Sequence, residues 1–388
     1  MRIFPSIEPR AKLLRLGLFV LGLIITFMPL VLSAQCLSSE LRGVWLTNID
    51  STVLFSQTNL DRAIERLKRL NFNTLYPVVY NDGFTLFPSQ TMRWAIGQRL
   101  HPEPNLQNRD ILQEIIDRGK QQGMTVIPWL EFGLMTPEDS LLAKLHPDWI
   151  TQRRDGSQVI TFGENNQVRI VRLNPMHPEV QNLLVVLVGE IVRKYAVDGI
   201  QFDDHFGLPV DMGYDPFTVN LYQAQHNGNP PPDQPQDPEW MRWRAEYITE
   251  LWRKIVRKVR SLRPHAIVSL APNPPAFAYN FFLQDWLSWA KQNLIDEVIV
   301  QVYRDNLTSF RKELTDPALL ELKTKMPVAI GILTGLRIKP IDMDLIKQKV
   351  QTIRKLGYGG FSYFFYETLG DRDQDFLELQ SQPIKRKL

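Results

Sequence analysis

The segment Asp198-Gly199-Ile200-Gln201-Phe202-Asp203-Asp204-His205-Phe206 decides how the chain is read. It begins as an apolar strand and ends in two acids and a histidine. Burying such groups without partners is costly, so they belong where a strand end meets water or a ligand. Side chains alternate along a strand, which puts Gln201 and Asp203 on one face. Asp204 points elsewhere unless the strand has already ended.

Working outward, seven more apolar runs have the same character: Leu41–Ile49, Thr74–Tyr80, Thr125–Phe132, Ala266–Ala271, Glu297–Tyr303, Pro327–Leu333 and Gly360–Tyr366. With Gly199–Phe206 they make eight. Amphipathic stretches separate them, such as Asn59–Leu70, with Leu60, Ile64, Leu67 and Leu70 on one side. Asp110–Gly119, Glu179–Tyr195, Glu239–Leu262 and Met343–Leu356 repeat the pattern, and Gly123 and Gly357 suit left-handed helix ends. Near-continuous apolar strands alternating with helices predict a parallel sheet. Eight such units predict a closed (β/α)₈ TIM barrel, with long loops after strands 2, 3 and 4 (Asn81–Arg109, Gly133–Pro178 and Gly207–Pro238). A doubly wound open sheet is disfavoured because no glycine-rich phosphate loop follows the first strand. The long loops leave the C-terminal strand ends, where barrels carry their chemistry.

The first residues read differently. Leu16 to Leu32 is uncharged and follows a basic segment, and Ser33-Ala34 offers a small residue for cleavage. That order predicts a secretory signal over 1–34, with an uncleaved membrane anchor as the alternative and 35–388 as a single domain. The expected location is therefore exported, periplasmic or extracellular. Cys36, the single cysteine, raises a lipoprotein reading, but Gln35 before it fits poorly. One cysteine also excludes a disulfide framework and a cysteine-based metal site. The formal net charge is +3, and residues 1–34 account for all of it; the remainder holds 41 basic and 41 acidic residues. Such balance does not suggest a nucleic-acid partner. The basic run from Arg253 to Arg263 has helical spacing and reads as a solvated outer face.

Candidate catalytic groups are the acids at strand ends: Asp203 and Asp204 on strand 4, Glu131 closing strand 3 and Glu367 closing strand 8. Gln201, His205, Asn273, Tyr303 and Arg304 at neighbouring strand ends, with Trp45 and Trp94, are candidate substrate-binding residues, since flat rings and polar donors suit sugars. Asp203 is the candidate nucleophile or cation stabiliser, and replacing it by asparagine is expected to abolish activity at little cost to stability. No HExxH or GxSxG motif is present, and with six histidines no metal or other cofactor is expected.

Three stretches together carry a resemblance: Leu41-Arg42-Gly43-Val44-Trp45-Leu46-Thr47-Asn48, then Leu173-Asn174-Pro175, then Asp198 to Asp204. They resemble the bacterial glycosyl-hydrolase-like family ten, which includes divisome-localised hydrolases acting on peptidoglycan. The resemblance implies a TIM-barrel glycosidase working on a glycan outside the cytoplasm by paired-carboxylate chemistry. One departure is visible, because members of the divisome group carry Asn near the end of strand three, where this chain has Glu131. Two other readings remain open at this point: an inactive glycan-binding barrel, and a metal-dependent carbohydrate deacetylase using Asp203, Asp204 and His205.

Overall fold

The computed structural model describes residues 40–163, 167–336 and 339–382. The predicted signal or anchor over 1–34 and the thiol of Cys36 lie outside these residues. Among the described residues no helix is long and apolar enough to cross a membrane.

Eight strands run parallel: β1 Leu41–Leu46, β2 Thr74–Asn81, β3 in two pieces (Thr125–Val126 and Trp129–Leu130), β4 Gly199–Asp203, β5 Ile267–Ala271, β6 Glu297–Gln301, β7 Val328–Leu333 and β8 Gly360–Phe364. Each pairs with the next, and β8 pairs with β1, which closes the barrel. The eight-fold (β/α)₈ reading is therefore correct. Pro128 lacks an amide hydrogen and sits at the break in β3. Outside lie α1 Gln57–Arg69, α2 Ile111–Gln121, α3 Pro178–Lys194, α4 Pro238–Leu262, α5 Trp286–Lys291, α6 Leu307–Leu314, α7 Met343–Lys355 and α8 Asp373–Ser381. Their apolar faces are buried on the sheet, as Leu60, Ala63, Ile64 and Leu67 are in α1. Ser56 caps α1 by accepting the Asn59 N–H. The long loops carry structure of their own. A helix, Gln90–Ile96, follows β2, a three-stranded antiparallel sheet follows β3, and a helix, Pro216–Gln225, follows β4.

The barrel interior is crowded and partly polar. A Cβ on Gly43 would come within 2.7 Å of the Tyr76 ring and 2.8 Å of Ser362 Oγ, so only glycine fits there. A hydrogen-bonded column climbs from floor to mouth. Tyr76 OH and Ser269 Oγ both donate to Glu297 Oε1, at 2.9 and 2.8 Å. Gln201 Nε2 donates to Ser269 Oγ at 2.9 Å, and Trp45 Nε1 donates to Gln201 Oε1 at 2.7 Å. Burial raises the Glu297 carboxyl above its usual range, against the pull of its two donors.

Five strands, β1, β3, β4, β6 and β8, end two or three residues earlier than their apolar runs suggest, and two of these endings place the acids. In β4, Asp203 Oδ1 accepts the His205 N–H at 2.8 Å, a local turn that stops the ladder at Asp203. In β8 the strand stops at Phe364, and Tyr366–Leu369 forms a short 3₁₀ turn that lifts Glu367 off the barrel end. The basic run on α4 lies on its outer face as expected, with Lys254 and Arg257 exposed and the others half-buried. Arg253 pairs with Glu246 and Glu250 on the same helix, while Arg260 pairs with Asp296 and Lys254 donates to Gln181, tying α4 to its neighbours.

Candidate active site

The C-terminal strand ends build a pocket lined by Trp45, Trp129, Glu131, Asp203, Asp204, His205, Ala271, Gln301, Tyr303 and Phe364. Its floor is aromatic: the rings of Trp45, Trp129 and Phe364 lie 6.1–6.4 Å apart, and Tyr303 is 5.8 Å from Phe364. Such a floor excludes water and strengthens every charge interaction above it.

Asp203 faces inward with Gln201, as alternation requires. It is almost sealed, at 2% exposure, and both its oxygens are engaged. Oδ1 takes the His205 N–H, and Oδ2 accepts Trp129 Nε1 at 3.0 Å and His205 Nδ1 at 3.2 Å. His205 Nδ1 also meets the Glu131 carbonyl at 3.1 Å. Both neighbours are acceptors, so Nδ1 carries a hydrogen. Burial alone lowers the imidazole, but Asp203 and Asp204 outweigh it and push His205 up to about 10, so it is imidazolium at neutral pH. Burial raises Asp203, with His205 opposing. Behind this pair Arg172, itself buried, donates from Nη1 to the His205 carbonyl at 3.1 Å.

Asp204 lies in the turn past the strand, on the pocket side and more open than Asp203. Its oxygens each accept one amide hydrogen at 2.9 Å, Oδ1 from Gln301 and Oδ2 from Asn273. Glu131 has the opposite environment. Burial first, then Asp203, push its carboxyl up from the usual 4.5 to about 8. Asn81 Nδ2 donates to its Oε2 at 2.7 Å. The pocket therefore couples an acid that keeps its proton at neutral pH to a carboxylate held by two donors.

Of the residues singled out from the sequence, Glu131, Asp203, Asp204, His205, Trp45 and Tyr303 meet in this pocket, and Asn273 supports it. Trp45 is buried and forms floor, and Gln201 lies beneath it in the column rather than in the pocket. Three do not join. Glu367 bonds to Ser51 Oγ, clamping the loop after β1 to the loop after β8, and it does not line the pocket. Arg304 pairs with Glu313 at 2.9 Å. Trp94 stands 63% exposed on the helix after β2. Each left the site because its strand had ended or its loop had folded on itself. Asn81, Trp129, Arg172, Gln301 and Phe364 were missed. Gln301 is the inward residue ending β6, a signal that strand alternation offered. A larger cleft of about 320 Å³ beside Tyr279, Gln284 and Trp286 also holds Asp285 and Asp316, but Asp316 caps the helix Pro317–Leu322.

Asp203, Asp204 and His205 bring one ligand atom each within 4.8 Å of one another, close enough for a metal ion. Every one of those carboxylate oxygens already accepts an N–H, and the positive Arg172 sits behind them. A cation there would have to displace that network.

A closed barrel that gathers three acids over an aromatic floor at its C-terminal mouth has the architecture of the TIM-barrel glycosidases. The chain belongs to the glycosyl hydrolase-like 10 family, whose signature matches residues 40–353. It is 26% identical over 316 residues to glycosyl hydrolase DigH of Escherichia coli (strain K12), covering 70% of this chain and 67% of that one. Against glycosyl hydrolase YngK of Bacillus subtilis (strain 168) it is 19% identical over 327 residues, covering 73% of this chain and 58% of the relative. Among solved structures, the PgaB (BpsB) glycoside hydrolase domain of Bordetella bronchiseptica superposes with a TM-score of 0.65 at 17% identity, covering 89% of this chain and 99% of that domain. Alpha-L-fucosidase isoenzyme 2 of Paenibacillus thiaminolyticus superposes with a TM-score of 0.60 at 16% identity, covering 88% and 48%. These likenesses are of fold.

Proposed function

We propose that this protein is an exported glycoside hydrolase acting on a cell-wall or other extracellular polysaccharide. The observation that carries the reading is the pairing in one pocket of a proton-holding Glu131 with the hydrogen-bonded carboxylate of Asp204. Glycosidic cleavage needs an acid for the leaving oxygen and a negative group for the oxocarbenium-like carbon. Glu131 Oε1 gives its proton to the glycosidic oxygen. Asp204 meets the anomeric carbon as nucleophile or as base for water, and the anomer released first, read by proton NMR, separates the two. Asp203 with the His205 imidazolium forms a fixed ion pair that holds the turn and shapes the field around Asp204.

Export rests on the basic and apolar start of the chain, and the cell-wall glycan on the family. Purified protein incubated with peptidoglycan stripped of its peptides, and with a panel of common polysaccharides, tests the reading by mass spectrometry of released saccharides. Release that disappears in Glu131→Gln supports it. Glycan binding with no release from any substrate favours the inactive glycan-binding barrel instead.

A further inference from the structure

Asn81 closes β2, and simple alternation would turn it away from the barrel interior. Tyr76 points inward, with its ring 5.6 Å from Trp45 and its hydroxyl on Glu297. Steps of two place Val78 and Tyr80 on the same side. The pairing with β3 breaks that count. Val78 lies opposite Trp129 but Tyr80 lies opposite Leu130, so two residues of β2 advance against one of β3. The extra residue is a β-bulge, and it reverses the facing of everything after it. Trp129 faces the pocket, so Leu130 faces outward and Tyr80 with it. Asn81 then faces inward, beside Glu131.

Its amide is fixed on all sides, and the residue is fully buried. Oδ1 accepts the Asp82 N–H at 2.6 Å. Nδ2 donates to Asn48 Oδ1 at 2.9 Å and to Glu131 Oε2 at 2.7 Å. A flipped amide would set its NH₂ against the Asp82 N–H, so the orientation is determined by its partners. Glu131 Oε2 is thus held as an acceptor, which leaves Oε1 to carry the acid proton.

We propose that Asn81 is a positioning residue, delivered by the β2 bulge, that assigns the proton of Glu131 to Oε1 and aims it into the pocket. The proposal rests on the reading of Glu131 as general acid. The other charged or titratable groups facing Glu131 are Asp203, Asp204 and His205 from the end of β4, Asp82 beyond β2 and Tyr303 beyond β6.

Asn81→Asp tests it. The variant keeps the acceptor for the Asp82 N–H but sets a second carboxyl oxygen against Glu131 Oε2, and touching carboxyls share one proton. The alkaline limb of kcat/KM should move up by about one pH unit or more, and kcat on a polysaccharide should fall roughly ten-fold or more. An aryl glycoside with a good leaving group should lose less than about three-fold, since it needs little protonation. Carbon-13 NMR of carboxyl-labelled glutamate, with the Glu131 signal assigned by its loss in Glu131→Gln, reads the same coupling without substrate. Its midpoint should rise in Asn81→Asp and in the near-isosteric Asn81→Leu, which serves should the first variant not fold. Unmoved midpoints with an active wild type overturn the proposal alone. Raised midpoints with a wild type that cleaves no glycan support the proton assignment and overturn the hydrolase reading.

Discussion

Glu131→Gln should exchange activity for stability. Glutamine keeps the shape of the side chain and can still accept from Asn81, but it has no proton to give. With its midpoint near 8, Glu131 is protonated in roughly nine-tenths of molecules at pH 7. General acid catalysis of this kind contributes about 10²- to 10⁴-fold, so kcat on a glycan with a poor leaving group should fall by that factor. Wild-type activity should decline as pH rises through about 8, and that limb should be absent from the variant. Stability moves the other way. The folded chain holds the Glu131 proton up to about pH 8, whereas the unfolded chain releases it near 4.5. Between those values the folded state binds more protons, so stability falls as pH rises. Glutamine removes that fall. Discounted for partial exposure and screening, the gain above pH 8 is on the order of 1–2 kcal/mol, or roughly 1–3 °C in Tm for a domain of this size, and it should vanish below pH 4. Calorimetry from pH 4 to 9, beside kinetics on an aryl glycoside and on polysaccharide, gives both readouts. A variant that keeps more than a tenth of wild-type activity on the polysaccharide, or melts lower than wild type at pH 9, refutes the assignment.

Asp204→Asn should abolish hydrolysis with little change in melting temperature, because Asp204 is more open and the Asn273 side-chain amide that it accepts from can flip to offer its oxygen to an NH₂. Asp203→Asn should instead cost about 1–3 kcal/mol, since an NH₂ would face the His205 or Trp129 donors; equal melting temperatures for the two variants would contradict this. Glu367→Gln should leave kcat within about two-fold while lowering stability by roughly 1 kcal/mol through a weaker acceptor for the Ser51 hydroxyl; a collapse of kcat with an unchanged melting curve would return Glu367 to the site. Activity should survive exhaustive chelation and not rise on adding zinc, nickel or manganese; a metal-dependent loss and recovery would support the deacetylase chemistry at Asp203, Asp204 and His205.

Strand number, order and the mouth-facing acids were readable because burial in a parallel barrel demands apolar runs and leaves the exceptions at their ends. Glu131, Asp203 and Asp204 were visible in that way. Glu367 was misplaced because an apolar run does not reveal where hydrogen bonding stops, and a 3₁₀ turn begins before it. The relative roles of Asp203 and Asp204 depend on a turn closed by one backbone N–H, which residue types alone do not mark. Asn81 was hidden by a single extra residue, which defeats any argument from parity. Arg172 comes from the small sheet inserted after β3, and its approach to His205 is set by tertiary packing rather than by local pattern.

The column from Tyr76 to Trp45 also bears on how this barrel can change over evolution. Five side chains from five strands satisfy one another, so no single member can turn apolar without orphaning a neighbour. Substitutions at Glu297, near the barrel floor, are thereby linked to the seating of the Trp45 indole under the pocket. Lineages that drift at one end must accept compensating changes along the whole column or retain it intact. A designer who swaps pocket residues for a new sugar would then do best to inherit all five as a block.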